Sequence, residues 1–184
     1  MKEIEIKILE IDEKNIRKIL KNKKAKLIKK ILQTNIIYSD KDTLEEGITI
    51  RLRKEGKKTY FAIKLKKKIV RGHKVRKEYE MEISSFKIAE SMLKSLGLKI
   101  SSYIEIKREY YQLNNCSVEI IKMPQIPFYL EIEGKEKNIE KVAKILGYSK
   151  KDYFLGFAPI YYKVGFKDLR FKWNQLKLIS KKKN

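Results

Sequence analysis

Polar and apolar residues alternate along most of this chain with the two-residue period of a strand. Residues 2–11 set Glu3, Glu5 and Lys7 against Ile4, Ile6 and Ile8. Further segments with strand character fall at about 26–39, 48–55, 58–68, 75–83, 100–112, 116–122 and 128–134. Glu55-Gly56-Lys57-Lys58 and Val70-Arg71-Gly72-His73 read as hairpin turns, with glycine supplying the positive φ. His73 is thereby expected in a solvated loop. Three segments switch to helical spacing. Asp12 is placed to cap a helix carrying Ile16, Ile19 and Leu20. Ser84 or Ser85 is placed to cap another with Ile88, Met92, Leu93 and Leu96, ended by Gly97. A third runs from about Asn138 with Ile139, Val142, Ala143 and Leu146 on its apolar face. Near the end, Phe166, Leu169, Trp173 and Leu176 return to helix-like spacing before Lys181-Lys182-Lys183. The expected organisation is one domain over 1–165 and a basic extension over 166–184, helical and packed on the domain. Hairpin-linked antiparallel strands with a few helices make an α+β fold, either an open sheet or a closed β-barrel with flanking helices.

The faces of the strands have a consistent chemistry. One face is Ile, Leu, Val, Phe or Tyr; the other carries charges of both signs. Arg51 and Arg53 oppose Ile50 and Leu52, Lys64 opposes Ile63 and Leu65, and Arg76, Glu78 and Glu80 oppose Val75, Tyr79 and Met81. Glu131 and Glu133 oppose Leu130 and Ile132. An open sheet would turn the charged face to solvent. A barrel could instead turn it inward, where each unpaired buried ion costs several kcal/mol. Such an interior survives if it is wet, internally paired or built around a ligand. Glu3, Glu5, Glu131 and Glu133 suit Mg²⁺ or Mn²⁺, which prefer hard oxygen ligands. Arg51, Arg53, Arg76, Arg108 and Lys64 suit phosphate oxygens. Periodicity leaves both arrangements open.

Composition narrows the function classes. The chain has 184 residues, 45 Lys+Arg, 23 Asp+Glu and a net charge of +22. That excess fits a polyanionic partner, although Lys dominates it and a compositional bias toward Lys would give the same number. The more informative cations are the seven arginines. One Cys and one His exclude a disulfide framework and His/Cys zinc clusters, and disfavour a Ser-His-Asp triad. No secretory signal, membrane-spanning run or P-loop glycine pattern is evident, so the expected location is the cytoplasm.

Glu3-Ile4-Glu5-Ile6-Lys7 resembles the E-x-E-x-K signature of the CYTH family, the triphosphate tunnel metalloenzymes. The resemblance continues in order through Tyr38-Ser39-Asp40 (Y-x-D), Ile50-Arg51-Leu52-Arg53 (R-x-R), Lys64, Arg76-Lys77-Glu78-Tyr79-Glu80 (R-x-E-x-E), Arg108 and Glu131-Ile132-Glu133 (the closing E-x-E). It implies an eight-stranded antiparallel tunnel that binds a triphosphate-containing small molecule. It further implies Glu3, Glu5, Glu131 and Glu133 as carboxylates for Mg²⁺ or Mn²⁺, and Lys7, Arg51, Arg53, Lys64, Arg76 and Arg108 on the phosphates. Glu78 and Glu80 would be further tunnel acids, and Tyr38 with Lys64 would correspond to a catalytic pair. The family includes inorganic and thiamine triphosphatases and class IV adenylate cyclases, so phosphohydrolase and cyclase readings both follow. A non-enzymatic binder of polyphosphate or RNA ends is the third reading; nucleic acid is not favoured as a partner, and either a monomer or a homodimer is compatible. Two departures stand out. Ile106 occupies the first position of the family's usual K-x-R, and Ile121 stands where an Asp usually precedes the closing E-x-E. Glu119, two residues earlier on the same face, is a candidate substitute for that Asp.

Overall fold

The computed structural model describes residues 2–165 and 167–171. In chain order the strands are β1 (Lys2–Ile8), β2 (Lys26–Ser39), β3 (Thr49–Glu55), β4 (Lys58–Lys64), β5 (Lys68–Val70), β6 (His73–Ile83), β7 (Lys99–Leu113), β8 (Cys116–Lys122), β9 (Tyr129–Glu133) and β10 (Asp168–Leu169). Eight of them pair antiparallel in the order β1-β9-β8-β7-β2-β3-β4-β6, and β6 pairs back onto β1. The sheet therefore closes into a barrel. The short β5 extends β6 as a hairpin, and β10 lies parallel to β7 beside Tyr103 and Ile104.

Among the described residues five helices flank the barrel: α1 (Glu13–Asn22), α2 (Lys41–Glu45), α3 (Phe86–Ser95), α4 (Glu136–Ile145) and α5 (Ala158–Tyr161). Asp12 caps α1 by accepting from the Lys14 and Asn15 amides. The α1 residues Ile16 and Leu20, and Ile139, Val142 and Ala143 of α4, bury their side chains against Ile6, Ile8, Val118, Ile120, Leu130 and Ile132. Each such Val, Leu or Ile side chain contributes roughly 1.5–3 kcal/mol on burial. A second outer cluster joins Leu93 of α3 to Ile36, Tyr38, Ile50 and Leu52. The apolar strand faces thus point outward under helices, and the charged faces line the interior. Gly134 ends β9 where a Cβ would stand 2.8 Å from Cys116 Sγ, so this close approach requires glycine.

Several expectations are corrected. The predicted strand over 58–68 ends at Lys64, and β5 begins at Lys68. His73 is the first residue of β6, 1% exposed, with its ring edge against Tyr153 and Nδ1 3.0 Å from the Arg71 carbonyl oxygen. It is a buried packing residue and not a solvated one, because the Val70–His73 turn folds back beneath the segment at Tyr153. The short α2 carries no helical apolar stripe; it forms because Asp40 and Thr43 make a reciprocal capping box. Leu169 lies in β10, where it meets Ile104, and not on a helix face. Phe166, Trp173, Leu176 and Lys181-Lys182-Lys183 fall outside the described residues.

Candidate active site

The period-2 pattern and barrel closure together bring charges from distant stretches to one place. Antiparallel pairing of β1 with β9 sets Glu5 opposite Glu133 and Lys7 opposite Glu131. Pairing of β8 with β9 sets Glu119 opposite Glu131, and pairing of β4 with β6 sets Lys64 opposite Glu78. The result is a cavity of about 670 Å³, within the usual size of a ligand site. Of the residues expected in a site, Glu3, Glu5, Arg51, Arg53, Lys64, Glu78, Glu80, Arg108, Glu119, Glu131 and Glu133 line it. Lys29, Glu55, Lys74, Tyr79 and Tyr110 join them.

Ion pairs fill much of the interior. Lys7 bridges Glu5 and, at 2.7 Å, Glu131. Arg108 bridges Glu119 and, at 3.1 Å, Glu131. Arg51 contacts Glu78 at 2.9 Å and Glu80 at 3.0 Å, Arg53 contacts Glu80 at 2.8 Å, and Lys64 contacts Glu78 at 2.5 Å and Glu3 at 3.2 Å. Burial opposes the Lys7 ammonium, but the Glu131 and Glu5 carboxylates outweigh it and hold its pKa above the ordinary lysine value. Burial likewise opposes Glu131, yet Lys7 and Arg108 pull its carboxyl well below the usual range. At Arg51 burial and the neighbouring Arg53 win, and the pKa is lowered despite Glu78 and Glu80. Glu119 is pushed upward by burial against the pull of Arg108.

Glu133 differs from these. It makes no ion pair among the described residues, and burial together with Glu3, Glu119, Glu131 and Glu5 raises its carboxyl to about 7. The cavity end formed by β1 and β9 therefore carries an excess of carboxylate. Among the described residues no three acids, histidines or cysteines form a preassembled metal-binding group, since lysines already hold Glu3, Glu5 and Glu131. The oxygen-only donor set and the uncompensated Glu133 fit a hard divalent cation, which would relieve the mutual repulsion of these acids.

Two expected positions lie elsewhere. Tyr38 is fully buried on the outer face of β2, where its hydroxyl donates to Glu90 Oε1 at 3.3 Å; it shares no cavity with Lys64. Its parity with Ile36, not with Gln33 and Asn35, puts it there. Arg76 is directed to the end of the β3–β4 hairpin stack, donating to Gly47 O at 3.1 Å, Thr49 Oγ1 at 2.8 Å and the Lys64 and Leu65 carbonyls. Its guanidinium ties three backbone segments together and does not line the cavity. Lys74, conversely, was not among the expected residues. It sits 2.5 Å from Glu5, and burial and the adjacent Lys7 lower its pKa. Its place directly after the Gly72-His73 turn hid it, although it shares the parity of Arg76 and Glu78. Lys29 and Gln33 both reach Glu55, at 2.7 and 2.6 Å, and the same parity rule along β2 would have found them.

Ile106 and Ile121 stand on the inward face but below the cavity, in an apolar cluster with Ile104, Met123, Ile126, Tyr129, Ala158 and Leu169. No helix among the described residues is long and apolar enough to cross a membrane.

Solved structures share this architecture. The PH1012 protein of Pyrococcus horikoshii is 23% identical with a TM-score of 0.73, covering 85% of this chain and 96% of that one. A conserved hypothetical protein of Pyrococcus furiosus is 25% identical with a TM-score of 0.71, covering 84% and 96%. HpAC1 of Hippeastrum, studied as an adenylyl cyclase and described as having a dominant triphosphatase activity, is 16% identical with a TM-score of 0.63, covering 89% and 97%. No curated protein matches significantly. The CYTH domain profile matches residues 1–157. A charge-lined closed barrel and a profile match over most of the sequence lead to one conclusion: the chain belongs to the CYTH domain family.

Proposed function

We propose that the protein is a divalent-metal-dependent phosphohydrolase that cleaves a triphosphate substrate inside the barrel. The observation that carries this reading is the convergence of paired acids and bases on one cavity, with the surplus of acid concentrated around Glu133. A bound phosphate chain would exchange places with carboxylates on the cations: Arg51, Arg53, Lys64 and Lys74 would release Glu78, Glu80, Glu3 and Glu5 and take phosphate oxygens. Glu3 and Glu5, once released, would hold Mg²⁺ or Mn²⁺ together with Glu131 and Glu133. Bound there, the ion would neutralise phosphate charge and polarise the scissile phosphorus. The rest of the work falls to the chain. Arg51 and Arg53 present guanidinium forks suited to two phosphate oxygens each. Arg108 stabilises the negative charge that spreads over the phosphoryl oxygens as the bond to the leaving phosphate stretches. Glu119, whose carboxyl is pushed upward, would accept a proton from the attacking water. The triphosphatase activity described for HpAC1, which shares the fold, agrees with hydrolysis.

The test is a substrate panel with purified protein and Mg²⁺ or Mn²⁺: tripolyphosphate, nucleoside triphosphates and thiamine triphosphate, with product identification. Release of orthophosphate is expected. Release of pyrophosphate with cyclic AMP from ATP would replace hydrolysis by the cyclase reading. Absence of turnover with every substrate would overturn both. Salt-sensitive binding that persists in Glu3→Gln and Glu5→Gln, without turnover, would point to a polyphosphate binder.

A further inference from the structure

We propose that the apolar cluster inside the barrel is a floor that closes one end, so that a phosphate chain enters by its terminus alone and stops at a fixed depth. This rests on the proposed function and names its substrate class: terminal triphosphates, not the interior of a phosphate polymer.

Strand parity places the floor inside the barrel. Ile106 precedes Arg108 by two residues on β7, Ile121 follows Glu119 by two on β8, and Tyr129 precedes Glu131 by two on β9. Each therefore points the same way as a charged neighbour in the site. They meet Met123 and Leu169, and all five are buried, Ile121 and Leu169 completely. The Tyr129 hydroxyl donates to Met123 Sδ at 3.4 Å, so the phenol is engaged within the floor and is not offered upward. Directly above stands the Lys7–Glu131–Arg108–Glu119 network. Below it no cationic group is offered among the described residues of the cluster, and an unpaired phosphate there would bear the full cost of burying an ion. Exposure rises toward the other end: the Lys29 side chain is 43% exposed and that of Glu80 29%. One mouth follows, with the organic part of a substrate held outside it and both products leaving by the route of entry.

The test is calorimetric binding of linear inorganic di-, tri-, tetra- and long-chain phosphate in EDTA, so that nothing is cleaved, at salt high enough to screen the outer lysines. The wild type should bind triphosphate more tightly than diphosphate. Tetraphosphate and long chains, at equal chain concentration, should bind within about twofold of triphosphate, because no further charge-assisted contact is available. If wild-type affinity climbs steadily with chain length, or several proteins thread one long chain, the floor is refuted while the proposed function stands. If no phosphate binds at all, the proposed function falls and takes this inference with it.

Discussion

The barrel interior has two halves that use the same strands and the same inward-facing register, yet differ in what they contribute. In the upper half Lys7, Arg108, Glu119 and Glu131 form a buried ionic network. Two residues along, Ile106, Ile121 and Tyr129 form a dry apolar layer. The apolar half stabilises the fold through burial and close packing. The ionic half gains little net stability, since the attraction between its charges is largely offset by their desolvation. Under the proposed function its charges would be redistributed when a ligand arrives. A stretch of two residues on one strand separates an apolar group that holds the barrel together from a charged one that lines the cavity.

Substitutions should separate the halves. The largest effect is expected for Arg108→Met, which leaves Glu119 and Glu131 facing each other; thermal or urea unfolding should show a loss of about 3–5 kcal/mol. Ile121→Ala should cost about 2–5 kcal/mol in the same measurement by opening a cavity in the floor. Unlike Arg108→Met, it removes no charge from the site, so phosphate release from tripolyphosphate, assayed well below the melting temperature, should fall far less than in Glu5→Gln. Glu5→Gln should act the other way, lowering metal-dependent phosphate release by about a hundredfold or more with a modest change in melting temperature. Equal loss of activity in Ile121→Ala and Glu5→Gln would erase the distinction between the halves.

A pH prediction follows from Glu133, whose carboxyl rises from the ordinary 4.5 to about 7 in the fold. Between those values the unfolded chain has lost the proton while the native state keeps it, so native protein binds more protons and its stability falls as pH rises. Below the lower value this group has no effect. The metal-free melting temperature should therefore decline between about pH 4.5 and 7. Glu133→Gln should flatten that decline, and so should Mg²⁺ or Mn²⁺ if the ion binds among these acids. The smallest effect belongs to Tyr38→Phe: loss of one hydrogen bond to Glu90, about 1 kcal/mol or less, and unchanged turnover. A collapse in turnover would return Tyr38 to the catalytic set.

Much of this was legible before folding. The period-2 pattern gives the strands, and the E-x-E and R-x-R pairs give most of the cavity lining, because side-chain parity is a local property. Which face turns inward was not legible, since it depends on β6 pairing with β1 across some seventy residues. Arg76 has inward parity and yet serves the hairpin ends, because at a strand terminus free carbonyls compete for a guanidinium. Lys74 was masked by the turn before it. Ile106 and Ile121 were visible as departures from the family pattern, but their partners Ala158 and Leu169 come from remote parts of the chain, and no local pattern connects them.

The small parallel strand β10 bears on where the folding unit ends. The CYTH profile match ends at residue 157, but Ala158 and the fully buried Leu169 complete the apolar plug, and Asp168–Leu169 pairs with β7 below the reach of β8. A fragment cut at that edge would lose two buried members of the apolar layer, so the packed unit extends at least through Leu169.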